Sequence, residues 1–186
     1  HLNVLILSSS DKVYSASLQL LGMCGNHRVL RAETVQQAKV LVGQRELGAA
    51  IVYADSRDAG YREVCLLLAA NCVATVFVPR GEDEMPYDLC DRGVVIAERP
   101  LTKATLFIAL RCALGIAYGY EKLRLENSEL KERLEALRVV SRAKCILARR
   151  GMTEDEAHKE IERRAMNERR TRTDIAKEII EGNDVQ

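Results

Sequence analysis

The residues best suited to bind a ligand are cations gathered toward one end of the chain. Arg138, Arg142, Lys144, Arg149 and Arg150 are followed by Arg163, Arg164, Arg169, Arg170, Arg172 and Lys177. Guanidinium and ammonium groups at this density suit a phosphate backbone, and roughly six to ten such contacts make binding steeply salt-dependent. From 138 to 177 there are 12 basic residues against 7 acidic ones, whereas the whole chain carries 28 against 27 and a net charge of +1. The excess is local. Interleaved acids (Glu154, Asp155, Glu156, Glu160, Glu162, Glu168) fit helix starts, where negative charge is favourable, or a separate face. A mixed run of this kind is also what a solvated face looks like, so charge by itself leaves nucleic-acid binding open.

Patterns for covalent chemistry are missing. No nucleophile elbow, Walker loop, dinucleotide fingerprint, HExxH or paired-carboxylate spacing occurs. Six cysteines (Cys24, Cys65, Cys72, Cys90, Cys112, Cys145) form no CxxC, and three histidines are too few for a zinc site. They read as buried thiols of a cytosolic protein. Ser8-Ser9-Ser10 follows an apolar run but lacks the glycine a phosphate nest needs. Asp55, at the end of another apolar run, is the best single candidate for chemistry. The expectation is a non-enzyme with no metal and no cofactor. No apolar run approaches the roughly 20 residues that span a bilayer, so a cytoplasmic location with no membrane partner is expected.

These groups need elements to position them. Asn3–Leu7, His27–Ala32, Ala50–Ala54, Val73–Val78 and Val94–Ile96 are short apolar runs separated by helical stretches, among them one that Thr34 caps and Val64–Ala70. Five such runs, mostly non-alternating, predict a doubly wound, five-stranded parallel sheet covered on both faces, an α/β fold over residues 1–110.

Beyond Thr102 the pattern changes to one long helix. Ile116, Tyr120, Leu123, Asn127, Leu130, Leu134 and Leu137 follow alternating spacings of four and three. With Leu123, Leu130 and Leu137 at d, Tyr120, Asn127 and Leu134 fall at a, a coiled-coil seam assigned to residues 111–140. Asn127 at a specifies register and favours two parallel strands. Glu126 at g meets Lys131 at e, whereas Arg133 and Arg138 repel. Leu125 at f fits less well and leaves open a single amphipathic helix packed on its own sheet. An unbroken helix from Lys103 to Arg149 is about 70 Å long, more than the chain can bury, so the seam calls for a second copy.

The remainder, 141–186, reads as a three-helix bundle. Gly151 ends the long helix, and Thr153 with Glu156 forms a capping box. The second helix turns Ala157, Ile161, Ala165 and Met166 to one side. Thr171 caps a third, with Ile175, Ala176, Ile179 and Ile180 inside, that Gly182-Asn183-Asp184 ends.

Ser141-Arg-Ala-Lys144, Leu147–Met152, Thr153–Ala157, Arg164-Ala-Met166, Arg169-Arg170, Asp174-Ile-Ala176 and Ile179-Ile180 together resemble the ANTAR domain, the RNA-binding antiterminator module of bacterial regulators of the amidase and nitrate-assimilation type. The likeness covers about 45 residues without a gap. It departs from the family pattern at Cys145, Ala148, His158 and Ile161. Residues 3–110 resemble the flavodoxin-like receiver domain of response regulators. That second resemblance aligns Asp55 with the phospho-acceptor, Ser8 and Ser9 with the metal-binding acids, and Arg99, before Pro100, with a lysine. It implies a pseudo-receiver, since phosphoryl transfer needs a metal that two serines cannot hold by carboxylate.

Taken together the resemblances imply a homodimeric antitermination regulator. It would bind hairpins of a nascent leader transcript, block the terminator hairpin, and answer to a partner such as a sensor protein or to a small ligand. RNA contacts are expected from Lys144, Arg149, Arg150, Arg169, Arg170, Arg172 and His158. A DNA-binding response regulator, a phosphorylatable regulator and a partner-binding scaffold are the alternatives.

Overall fold

The computed structural model describes residues 2–44, 46–54, 60–81 and 87–184. The chain divides into two compact units, 1–123 and 124–186.

In the first unit, strands β1 (Leu2–Leu7), β2 (His27–Ala32), β3 (Ala49–Tyr53), β4 (Ala74–Val78) and β5 (Val95–Ile96) alternate with α1 (Asp11–Cys24), α2 (Val35–Gln44), α3 (Gly60–Ala70) and α4 (Tyr87–Cys90). The sheet order is β2-β1-β3-β4-β5 and every pairing is parallel. That is the doubly wound arrangement the apolar runs predict.

Alternation along each strand splits the core into two layers. Val4, Ile6, Ile51, Tyr53, Val76 and Val78 pack on one face against Leu21 of α1. The start of α5 (Lys103–Arg149) covers the same face with Leu106, Ala109, Leu110 and Ala113. Leu5, Leu7, Ala50, Val52 and Phe77 point the other way, onto Ala38 of α2, Val64, Cys65 and Leu68 of α3, and Leu89 of α4. All five residues of β3 and of β4 are buried, which explains why those runs do not alternate in polarity.

Caps at the helix starts follow the sequence. Ser10 accepts from the Val13 amide at the head of α1, and Thr34 accepts from the Gln37 amide at the head of α2.

Glycine has a steric role at the turn before β5. Gly93, between α4 and β5, has φ +82°, and a Cβ there would lie 2.6 Å from Ile116 Cγ2 and 2.9 Å from Tyr120 Cε2. The Tyr120 hydroxyl also donates to the Asp91 carbonyl at 3.4 Å. The first two positions of the heptad seam therefore rest on the turn before β5.

The cysteines require a correction. Only Cys65 is buried, and burial pushes its thiol up to about 12; Cys24 and Cys72 are half-buried, while Cys90, Cys112 and Cys145 are exposed. Their hydrophobic character did not decide their placement; position within each helix or turn did. Cys112, for example, directly precedes the buried Ala113 and so falls on another face of α5.

Candidate nucleic-acid interface

In the second unit, the last turns of α5 pack with α6 (Glu154–Glu168) and α7 (Arg172–Asp184). The core is Ala143, Ile146, Leu147, Ala157, Ile161, Ala165, Ile175, Ala176 and Ile179, with Val139, Val140 and Ile180 at its edge. The alanines let the helices approach closely, and five larger side chains supply most of the buried volume. Met166 does not join them: it is 79% exposed. One residue beyond Ala165 is about 100° around the helix, which turns its side chain to solvent.

The connections are fixed by hydrogen bonds that local sequence encodes. At the end of α5 the Met152 amide donates to the Leu147 carbonyl and the Gly151 amide to the Ala148 carbonyl, with Gly151 at φ +96°. This is a Schellman closure, and glycine takes the left-handed position without strain. Thr153 and Glu156 form the expected capping box: the Thr153 hydroxyl accepts from the Glu156 amide, and the Glu156 carboxylate accepts from the Thr153 amide at 2.8 Å. Those bonds hold the Glu156 carboxyl below the usual range, the backbone amide of Thr153 contributing most. Thr171 and Asp174 repeat the device at the start of α7, and the Thr171 hydroxyl bond holds the Asp174 carboxyl low as well. Helix α7 continues through Gly182 to Asp184, beyond the expected stop, so a lone glycine weakens but does not end it.

The cations fall into two groups. In the first, Glu178 accepts from Arg164 at 2.6 Å and from Arg170 at 2.5 Å, and Glu168 also engages both arginines. Arg170 and then Arg164 hold the Glu178 carboxyl low, and the Arg170 guanidinium is held above its ordinary value, chiefly by Glu178. Glu162 links His158 at 3.4 Å with Arg172 at 3.0 Å. Arg163 makes a two-pronged contact with Glu160, and Lys144 lies 3.7 Å from Glu154. A second group, with Arg149, Arg169 and Lys177 in it, is exposed and without an ion pair among the described residues. Arg169 also closes α6 in the left-handed conformation, φ +53°, its amide bonded to the Ala165 and Met166 carbonyls. Arg150 is likewise exposed at the end of α5.

Lys144, Arg170, Arg172 and His158 thus already meet carboxylates, so a phosphate has to compete for them. The Arg164–Glu168 spacing was legible as a helical i,i+4 pair. No local spacing marks Glu178, because it reaches Arg164 only through the fold, 14 residues away.

On the other unit, Ser8 is fully buried and its hydroxyl accepts from the Ser10 amide at 3.2 Å, while Ser9 is exposed. The Arg99 guanidinium donates to the Pro79 and Ala54 carbonyls, at 3.2 and 3.5 Å, and lies 5.4 Å from the centre of the Tyr53 ring. Asp55 lies outside the described residues. No group of three or more His, Cys, Asp or Glu side chains able to hold a metal occurs among the described residues.

Along α5 the seam residues beyond the sheet unit are exposed: Leu130 by 62%, Leu134 by 49% and Leu137 by 69%. Among the described residues no helix is long and apolar enough to cross a membrane.

Residues 128–180 match the ANTAR domain. The chain is 31% identical over 128 residues to the transcriptional regulatory protein PdtaR of Mycobacterium tuberculosis, covering 68% of this chain and 62% of that one. It is 32% identical over 129 residues to the aliphatic amidase regulator of Pseudomonas aeruginosa, covering 66% and 64%. The chain thus spans less than two thirds of the length of these relatives. Its fold resembles a response regulator receiver domain from Clostridium thermocellum, with a TM-score of 0.54 and 15% identity over 66% of this chain and 98% of the other.

Proposed function

From a chain that joins an ANTAR domain to a receiver-like fold, we propose an RNA-binding transcription antitermination regulator. The ANTAR bundle is the observation that carries this reading, because that module is the RNA-binding part of bacterial antiterminators. The bundle holds paired hairpins of a nascent leader transcript, and the overlapping terminator hairpin then fails to form. Exposed arginines take phosphates, while unstacked loop bases offer edges and faces for specific contacts. Arg149 and Arg169 make the primary electrostatic contacts, with Arg150 beside them at the end of α5. Lys144, Arg170, Arg172 and His158 join by exchanging carboxylate for phosphate, and the exchange sharpens selection.

A parallel homodimer through Leu123, Asn127, Leu130, Leu134 and Leu137, with Ile116 and Tyr120 at its near end, presents two bundles to two hairpins. Exposed leucines at a and d support it, since water is a poor neighbour for such a stripe.

The receiver-like unit acts by binding a protein partner rather than by phosphorylation. Receivers hold a divalent metal with carboxylates. Here Ser8 and Ser9 offer only hydroxyls, one of them buried and bonded to the Ser10 backbone. The residues do not fit the metal, and no phosphoryl step is assigned to Asp55.

Binding of the purified chain to a two-hairpin leader RNA and to a scrambled control, at two salt concentrations, tests the reading. Preference for the leader, lost on replacing Arg149 and Arg169 with alanine and weakened by salt, is expected. Equal binding to both RNAs overturns it.

A further inference from the structure

A second face of α5, distinct from the heptad seam, carries Phe107, Arg111, Leu114, Tyr118 and Glu121 at spacings of four, three, four and three residues. The sheet is covered by other positions of the same turns, Leu106, Ala109, Leu110 and Ala113. Phe107 is 43% exposed, Leu114 36% and Tyr118 76%. The Arg111 guanidinium lies 5.6 Å from the centre of the Phe107 ring.

We propose that this face is a self-association surface whose occupant is the same face of a second copy, laid antiparallel. The order of the residues selects that partner. When Leu114 lies opposite Tyr118 of a second, antiparallel copy, Arg111 lies opposite Glu121 of that copy. Twofold symmetry repeats both pairs, giving an apolar centre closed at each end by opposite charges. Parallel packing of the same face sets Arg111 on Arg111 and Glu121 on Glu121. An antiparallel shift of one heptad sets Arg111 against Leu114 and leaves its charge without a partner in the apolar centre. One alignment matches both charge and hydrophobicity.

The surface is independent of RNA binding and of the parallel seam, which uses other positions of the helix. Where the seam also pairs copies, this face joins pairs into larger even-numbered assemblies.

The test uses the full chain carrying Leu130→Glu, which removes the seam, with mass measured by sedimentation across concentration. A dimer is expected. Adding Arg111→Glu or Glu121→Arg alone weakens it by on the order of tenfold or more, the effect of about 1.4 kcal/mol. The two changes together restore it. A monomer in the Leu130→Glu chain, unchanged mass in the single variants, or a double variant as weak as the singles each overturns the proposal. Circular dichroism with unchanged helical content confirms that the variants fold, and restoration in the double variant cannot arise from misfolding.

Discussion

Replacing Ile161 with alanine should unfold the ANTAR bundle while leaving the sheet unit intact. Ile161 is fully buried, one of five large side chains among the nine fully packed residues of that core. Four alanines make up the rest, so neighbouring side chains have little volume with which to fill a void. Ile→Ala in such a site costs about 2–5 kcal/mol. A single small core of this size supplies roughly 3–5 kcal/mol in total. The two figures overlap, so Ile161→Ala takes most or all of the margin. Ile161→Val removes one methylene and costs about 0.5–1.5 kcal/mol, a fall of several degrees at about 4–8 °C per kcal/mol. Met166→Ala, at a position 79% exposed, should stay within about 0.5 kcal/mol of the parent. Thermal melts followed at 222 nm should show the bundle's transition falling in the order Met166→Ala, Ile161→Val, Ile161→Ala, with that of the sheet unit unmoved. Loss of RNA binding should follow the same order. If Ile161→Ala melts with Met166→Ala, the packing account of the bundle is wrong.

Four further outcomes are expected. Leu130→Ala removes a side chain 62% exposed in the single chain, losing about 1–2 kcal/mol per protomer on dimer burial; sedimentation should show self-association at least tenfold weaker, and unchanged mass would remove the seam. Gly93→Ala forces a Cβ to 2.6 Å from Ile116 in a left-handed conformation, so the sheet unit should melt several degrees lower; an unshifted melt would refute that contact. Acid should loosen the bundle, because Glu156, Asp174 and Glu178 are held below their ordinary values. Their contribution is complete above the unfolded carboxylate range and is lost as pH falls through the lower folded-state values; a melting temperature that stays flat or rises from pH 6 to 3 would contradict this. A thiol reagent should label Cys90, Cys112 and Cys145 promptly and Cys65 only on unfolding; prompt labelling of Cys65 would refute its burial.

Much of the architecture was written in local pattern. Buried runs such as Ala49–Tyr53, the unbroken helix to Arg149, and the Gly151, Thr153–Glu156 and Thr171–Asp174 signals depend on neighbours a few residues apart, so sequence determined them. The ANTAR match likewise falls on one continuous stretch, 128–180. Tertiary structure decided what depends on distance. Glu178 draws Arg164 and Arg170 together across a turn, setting them apart from cations that look equivalent in the sequence. The fold also brought Ile116 and Tyr120 onto Gly93 and left cysteines of one composition in three environments. The physical reason is the range of the forces involved. Periodicity and capping act within a turn or two of chain, whereas ion pairing and burial are set by which surfaces the fold brings together.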